Sequence, residues 1–147
     1  MPEALKPQET ESRQLVDDTD VSIRPATAEE IDHMKQVTRR EVFLWVPDSE
    51  YFVAVRADGR VVGFCALTVK NSKAKLRNEF VFPLARSQGI GGAMIDHLLE
   101  AAKARGCKTV EAVCTPASVR LHLERGASQV STSSKSGVPL VHVKFNL

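Results

Sequence analysis

The sequence predicts an α/β fold in which helices flank one mixed, mostly antiparallel sheet of about six to seven strands. Residues 51–82 contain three consecutive strand patterns separated by short turns, which favours antiparallel neighbours. An amphipathic helix pattern at residues 89–105 precedes a buried strand pattern at 109–114, which favours a parallel crossover. Residues 127–145 indicate a terminal hairpin. The predicted order is therefore β-α-(α)-β-β-β-α-β-α-β-β.

The first strand and helix follow from alternation and capping signals. Val21–Arg24 alternates as a short strand. Thr27 is the predicted N-cap of the next helix, and Glu30 three residues later completes a capping box. The apolar stripe of that helix is predicted to consist of Ile31, Met34 and either Val37 or Thr38.

The central strands are bounded by turn residues. Tyr51–Arg56 and Arg60–Val69 are predicted strands, and Asp58-Gly59 between them is a strong hairpin signal. A third strand is predicted at Ala74–Phe82. The segment 41–49 is ambiguous between a short second helix and a buried loop.

The later elements alternate between helix and strand. Gly89–Arg105 is predicted to be the main helix, with Gly106 as its C-terminal stop. Thr109–Cys114 is a predicted buried strand, and Ala117–Arg125 is a predicted short helix that ends at Gly126. Ile90, Met94, Leu98 and Ala101 form the predicted apolar face of the main helix.

Composition places the chain among single globular domains. The 147 residues can bury one core, and no apolar run approaches the ~20 residues that span a membrane. Residues 1–20, an expected flexible tail before a domain at 21–147, carry six acidic and two basic side chains. That net of −4 leaves +6 for the rest of a chain whose total is +2. A positive domain suits an anionic ligand, but the weak charge and few aromatics do not suggest nucleic-acid binding.

Localisation and metal binding follow from the same composition. The polar, acidic N-terminus does not resemble a secretory signal, so a cytoplasmic location is expected. The three cysteines lack zinc-type spacing, and no two histidines have metal-ligand spacing, so no metal site is predicted.

A glycine-rich turn stands between the predicted third central strand and the main helix. Residues 86–93 read Arg-Ser-Gln-Gly-Ile-Gly-Gly-Ala. Glycines allow close approach of the backbone to a ligand, and unpaired N–H groups at a helix start attract phosphate. No Lys-Ser/Thr follows, as a P-loop requires, and Met94 replaces the third glycine of the dinucleotide fingerprint.

The pattern that does fit is Arg86-x-x-Gly89-x-Gly91, which resembles the pyrophosphate loop of the GNAT superfamily of acyl-CoA N-acyltransferases. Residues 120–127, Arg-Leu-His-Leu-Glu-Arg-Gly-Ala, resemble a second conserved stretch of that family at the right spacing. The resemblance covers about residues 21–147. It implies a parallel strand pair that splays to admit acetyl-CoA.

The resemblance also implies a set of cofactor-binding residues. Backbone groups of the third central strand would pair with the pantetheine arm, and an N–H there would polarise the thioester carbonyl. The glycine-rich turn would hold the pyrophosphate. The full expected set is Phe80, Val81, Phe82, Arg86, Ser87, Gln88, Gly89, Ile90, Gly91, Gly92, Ala93, Thr115, His122 and Arg125.

Two residues are expected to carry proton transfers. Glu79 occupies the position of the glutamate base in some family members, although it would also fit as an exposed strand residue paired to Lys75 or Arg77. His122 stands where the family usually has a tyrosine that protonates the leaving thiolate; simple packing beside the cofactor is the alternative. Thr115 and Ala127 are further departures from the family pattern.

The resemblance implies an acetyl-CoA-dependent N-acetyltransferase that acts on a primary amine of a small molecule or a protein, by direct attack in a ternary complex. The missing tyrosine keeps open a non-catalytic acyl-CoA-binding sensor, and a nucleotide-binding regulator is a third alternative. Phe43 and Trp45 fall where the family forms its acceptor pocket, or else belong to the core. The acceptor amine, the acyl chain and the oligomeric state, including a homodimer, stay open.

Overall fold

A computed structural model describes residues 20–40 and 45–147. Residues 1–19 of the expected tail at 1–20, and Phe43, lie outside the described residues. The helices are α1 (Ala28–Val37), α2 (Ile90–Ala104) and α3 (Val119–Glu124), and a 3-10 turn spans Pro83–Ala85. The strands are β1 (Val21–Pro25), β2 (Glu50–Arg56), β3 (Val61–Lys70), β4 (Lys73–Val81), β5 (Thr109–Cys114), β6 (Ser128–Lys135) and β7 (Val138–Asn146).

All seven strands form one mixed sheet in the order β1-β2-β3-β4-β5-β7-β6. The β4–β5 pair is parallel, and the other neighbours are antiparallel. The parallel pair arises because β5 follows the crossover helix α2, as the sequence predicts. The predicted fold class is confirmed.

Each face of the sheet carries its own apolar cluster. α2 covers one face, where its buried Ile90, Met94 and Leu98 belong to the larger cluster. A smaller cluster of Met34, Val53, Val55 and Phe64 lies on the α1 face. Side chains of a strand point alternately to the two faces of its sheet, so β4 contributes residues to both clusters.

The predicted capping box of α1 is present. The Glu30 N–H donates to the Thr27 hydroxyl at 3.1 Å, and the Thr27 N–H donates to Glu30 Oε1 at 2.9 Å. Between the two predicted candidates for the last position of the stripe, the structure selects Thr38, which is 2% exposed, over Val37, which is 51% exposed. The Thr38 hydroxyl donates to the Met34 carbonyl at 2.6 Å, which satisfies it in the interior.

The predicted apolar face of the main helix packs against the sheet. Ile90, Met94 and Leu98 are buried, and Ala101 is partly buried against the same cluster. Ala102, one position further along the helix, is fully buried as well. None of the helices within the described residues is long and apolar enough to cross a membrane.

Candidate functional site

The parallel strands β4 and β5 separate towards their C-terminal ends. Their pairing runs from Lys73 opposite Thr109 to Leu76 opposite Ala112 and stops there. β4 nevertheless continues to Val81 and β5 to Cys114. The unpaired ends therefore leave a gap in the middle of the sheet, which is called the β4–β5 opening below.

The backbone of Val81 faces this opening. The Phe82 N–H donates to the Val62 carbonyl of β3 at 2.9 Å. Because successive residues of a strand direct their backbone groups to opposite sides, the N–H and C=O of Val81 point away from β3. Arg86 Nε donates to the Val81 carbonyl at 2.8 Å. The Val81 N–H thus remains as a donor directed into the opening.

The glycine-rich turn presents a row of backbone N–H groups at the start of α2. Ser87 and Gly89 both have left-handed backbones, with φ of 64° and 82°, and Gly89 caps α2 without any side-chain hydrogen bond. The first helical bond is donated by Ala93 to the Gly89 carbonyl at 3.1 Å. Within residues 20–40 and 45–147, no group accepts a hydrogen bond from the amides of 87–92. Such a concave set of free donors is suited to an anion.

The long side chains of this turn point away from those amides. The Arg86 guanidinium lies over the Phe80 ring at 5.2 Å from its centroid, in addition to its bond with Val81. The Gln88 side chain accepts a hydrogen bond from Arg56. The turn therefore offers an anion mainly backbone donors, and the two side chains hold the turn against β2 and β4.

Arg125 brings a positive charge to the first turn of α2. A Cβ on Gly92 would overlap the Arg125 guanidinium, so the glycine is what allows this close approach. Arg125 Nε donates to Asp96 Oδ1 at 3.0 Å. Thr115, in contrast, is committed locally: its hydroxyl bonds with the Ser118 hydroxyl at 3.2 Å at the start of α3.

Glu79 and His122 contact each other directly, although 43 residues separate them in sequence. His122 Nε2 lies 2.8 Å from Glu79 Oε1, and His122 Nδ1 lies 3.0 Å from the Ser118 carbonyl. The His122 side chain is 2% exposed and that of Glu79 is 21% exposed. The alternative in which Glu79 pairs with Lys75 or Arg77 is absent from the described residues.

A β-bulge in β4 makes this contact. Phe64 of β3 is opposite Phe80 and Ala66 is opposite Arg77, so two residues of β4, Asn78 and Glu79, stand against one of β3. Asn78 adopts a left-handed backbone with φ of 55°. The extra residue shifts the alternation, so that Glu79 points to the α2 side of the sheet, where α3 holds His122.

The surroundings of His122 favour its charged form. The Ser118 carbonyl can only accept, so Nδ1 carries a proton, while Nε2 faces a carboxylate. Burial on its own lowers the pKa of His122, but the hydrogen bonds and charges that Cys114 and Glu79 present to the ring outweigh it and raise the pKa to about 10. At neutral pH His122 is therefore an imidazolium beside Glu79.

The buried thiol on the neighbouring strand is held neutral. Burial, and secondarily the charge of Glu79, raise the pKa of the Cys65 thiol well above its ordinary value. Among the described residues, no three His, Cys, Asp or Glu side chains could together hold a metal ion.

The profile of the acetyltransferase (GNAT) family matches residues 19–127 of this chain. The chain belongs to the GNAT family. Acetyl-CoA is the acyl donor that GNAT acetyltransferases use. A comparison with curated protein sequences finds no match.

Solved GNAT structures share the fold of this chain. An IAA acetyltransferase from Bacillus cereus is 20% identical with a TM-score of 0.70, over 86% of this chain and 99% of that one. A GNAT acetyltransferase from Elizabethkingia anophelis, with acetyl-CoA bound, is 16% identical with a TM-score of 0.66, over 87% and 99%. A variant of the spermidine N-acetyltransferase from Vibrio cholerae is 11% identical with a TM-score of 0.75, over 87% and 94%.

The residues of this GNAT chain fit acetyl-CoA. The free amides of 87–92 are donors for a diphosphate, and the β4–β5 opening exposes the edge of β4 that a pantetheine arm can pair with. The sequence missed two contributors to the site: Ser118, whose carbonyl lies 3.0 Å from His122 Nδ1, and Arg56, which holds Gln88.

Proposed function

We propose that this GNAT protein is an N-acetyltransferase that moves the acetyl group of acetyl-CoA to a primary amine by direct attack in a ternary complex. The observation that carries the proposal is the row of free amides at 87–92, which leads into an opening where the Val81 N–H stands as a donor. An anion site continuous with a backbone edge matches a ligand that joins a diphosphate to an extended amide arm.

Different residues among those expected from the sequence would bind different parts of acetyl-CoA. Residues 86–93 would bind the diphosphate through the backbone, with Arg125 adding charge at the first turn of α2. The strand end at Phe80, Val81 and Phe82 would pair with the pantetheine arm. The Val81 N–H would donate to the thioester carbonyl and stabilise negative charge on that oxygen during attack. Thr115 and His122 would line the wall on the β5 side.

In this proposal Glu79 receives the proton of the attacking amine. An aliphatic amine has a pKa near ~10 and is mostly protonated at pH 7, so a base must assist. Glu79 Oε1 is bound to His122, whereas the second carboxylate oxygen has no hydrogen-bond partner among the described residues. With the side chain 21% exposed, that oxygen can accept the proton through water.

His122 serves as a fixed positive charge. As the amine nitrogen bonds to the acetyl carbon, the carbon–sulfur bond breaks and the thiolate leaves. A thiol has a pKa near ~8.5, below the pKa of about 10 of His122. The imidazolium therefore keeps its proton and stabilises the thiolate by charge, instead of donating the proton as the sequence alone suggested.

A thiol-release assay tests the proposed activity. Acetyl-CoA with a panel of amines should release free CoA thiol, and Glu79→Gln should lower kcat/KM by about 100-fold near neutral pH. The deficit should shrink at high pH, where more of the amine is already neutral. Glu100→Gln, an exposed change on α2, is the matched control. A pH–rate profile that is the same for wild type and Glu79→Gln rules out Glu79 as the base.

A second candidate, a non-catalytic acetyl-CoA-binding module, is favoured by one observation. His122 is 2% exposed and both ring nitrogens are bound within the protein, which is also what a purely structural histidine would show. Such a module would be stabilised thermally by acetyl-CoA and would release no thiol with any amine. His122→Phe separates the readings further, because only the enzyme should lose turnover while it keeps its acetyl-CoA affinity.

A further inference from the structure

One face of the sheet beside the β4–β5 opening carries a concentration of positive charge. It lies on the side opposite α2 and consists of Lys70, Lys73, Lys75, Arg77 and Lys144, with Glu111 as its acidic member. This group is called the basic face. The register places it in rows: Lys70 is opposite Lys73, and Lys75, Glu111 and Lys144 are neighbours across β4, β5 and β7.

The cations of the basic face have no carboxylate partner within residues 20–40 and 45–147. No carboxylate of the described residues lies within ion-pair distance of any of the five. Arg77 Nε donates to the Thr68 hydroxyl at 2.9 Å, and that hydroxyl is 2.6 Å from the Ser49 hydroxyl. These bonds fix the direction of Arg77 and leave its terminal nitrogens for an anion.

The basic face adjoins the point at which acetyl transfer would occur. Arg77 directly follows Leu76, the last paired residue of β4, and directly precedes the bulge that orients Glu79. On the α2 side, Cys114 and His122 are each 2% exposed and Glu79 is 21% exposed, so little of this wall is open to an acceptor. On the other side, Val113 of β5 is 54% exposed. An acceptor therefore reaches the opening across the basic face.

We infer that the acceptor is the terminal amino group of an acidic polypeptide segment, which lies along the basic face with its amine at the β4–β5 opening. This inference rests on the proposed acetyltransferase function. From Lys73 to Arg77 the strand rises about 13 Å, which is longer than one small amine and suits about four extended residues. The cations lie towards one end of the opening only, the end where β4 and β5 are paired, which favours a chain that runs away from the opening in a single direction.

The acidic groups elsewhere on this side do not offer an equivalent site for a cationic acceptor. A cleft of about 290 Å³ between α1 and the sheet has Glu29, Glu30 and His33 at its rim. Glu30 is already bound by Arg24 at 2.8 Å and by the Thr27 N–H. Among the described residues, the cleft therefore presents one carboxylate without an ion-pair partner, against five such cations on the basic face.

Peptide acceptors that differ only in charge test the inference. Three peptides share a free amino terminus and continue with three glutamates, three glutamines or three lysines, and spermidine is included as a cationic amine. Wild type should use the glutamate peptide with a kcat/KM about tenfold above the glutamine peptide at low salt, and added salt should reduce that ratio. Equal rates for the three peptides, or a preference for spermidine, would overturn the inference.

Two variants that lose the same charge provide the control. Lys73→Gln with Lys75→Gln should bring the glutamate-to-glutamine ratio close to one, while Lys103→Gln with Arg39→Gln, at exposed sites outside the basic face, should leave it unchanged. Equal effects of the two variants would contradict a specific role of the face. Fluorescence anisotropy of a labelled glutamate peptide gives the same comparison without turnover. Failure of the proposed function is distinguishable, because the protein would then release no thiol with any amine.

Discussion

The raised pKa of His122 makes folding stability depend on pH, and Glu79→Gln should weaken this dependence without removing the part that comes from Cys114. The pKa of His122 is about 10 in the folded protein and ~6.5 in an unfolded chain. Because the folded value is the higher one, protonation of His122 stabilises the fold fully below about pH 6.5, and this contribution disappears as the pH rises to about 10. Within that interval the loss is about 1.4 kcal/mol per pH unit, or about 3 kcal/mol between pH 7 and pH 9.

Urea denaturation of wild type and Glu79→Gln across pH 6 to 10 measures this difference. At pH 6 the variant should be less stable by about 3 kcal/mol, the usual cost of removing one partner from a buried ion pair. This difference in the free energy of unfolding should disappear as the pH approaches 10. Groups that titrate identically in both proteins contribute nothing to the difference. Glu100→Gln should show no gap that varies with pH. A gap of constant size, or a His122 imidazole that titrates near pH 6.5 by NMR, would refute the reasoning.

Three further substitutions test the supporting structure. Gly63→Ala should cost about 1–3 kcal/mol of stability in urea denaturation, because a Cβ there would lie 2.8 Å from the Phe80 carbonyl oxygen. Unchanged stability would mean that β4 can move to make room for the methyl group. Thr27→Ala should cost about 1 kcal/mol through loss of the capping box, again by urea denaturation, and should leave acetyl-CoA affinity unchanged. Gly89→Ala should weaken acetyl-CoA binding in calorimetry, since φ of 82° strains any L-residue; equal affinity would remove Gly89 from the anion site.

Local signals explain how much of the fold the sequence predicts. Thr27 and Glu30 are three residues apart and form the cap by themselves, and Asp58-Gly59 sets a hairpin without help from distant parts of the chain. The glycine-rich turn is equally local, so its place before α2 and its free amides could be expected from residues 86–93. The chain order of the strands then limits the sheet to few topologies.

The pairing of Glu79 with His122 could not be predicted, because it depends on an irregularity of β4. Strict alternation from Leu76 would put Asn78 on the α2 side and Glu79 on the other, and only the bulge reverses this. Asn tolerates a left-handed backbone better than most residues, so Asn78 within a strand pattern was the one available hint. The charge of His122 likewise depends on Ser118, Cys114 and Glu79, which meet only after folding.

The central claim is that the main-chain amides at the start of α2 bind the diphosphate of coenzyme A. Backbone NMR of the ¹⁵N-labelled protein, titrated with CoA and in parallel with pantetheine, which lacks the diphosphate, addresses it directly. The amides of residues 87–92 should show the largest saturable shifts with CoA and small ones with pantetheine. Unmoved amides at 87–92 in a protein that CoA saturates elsewhere would contradict the claim.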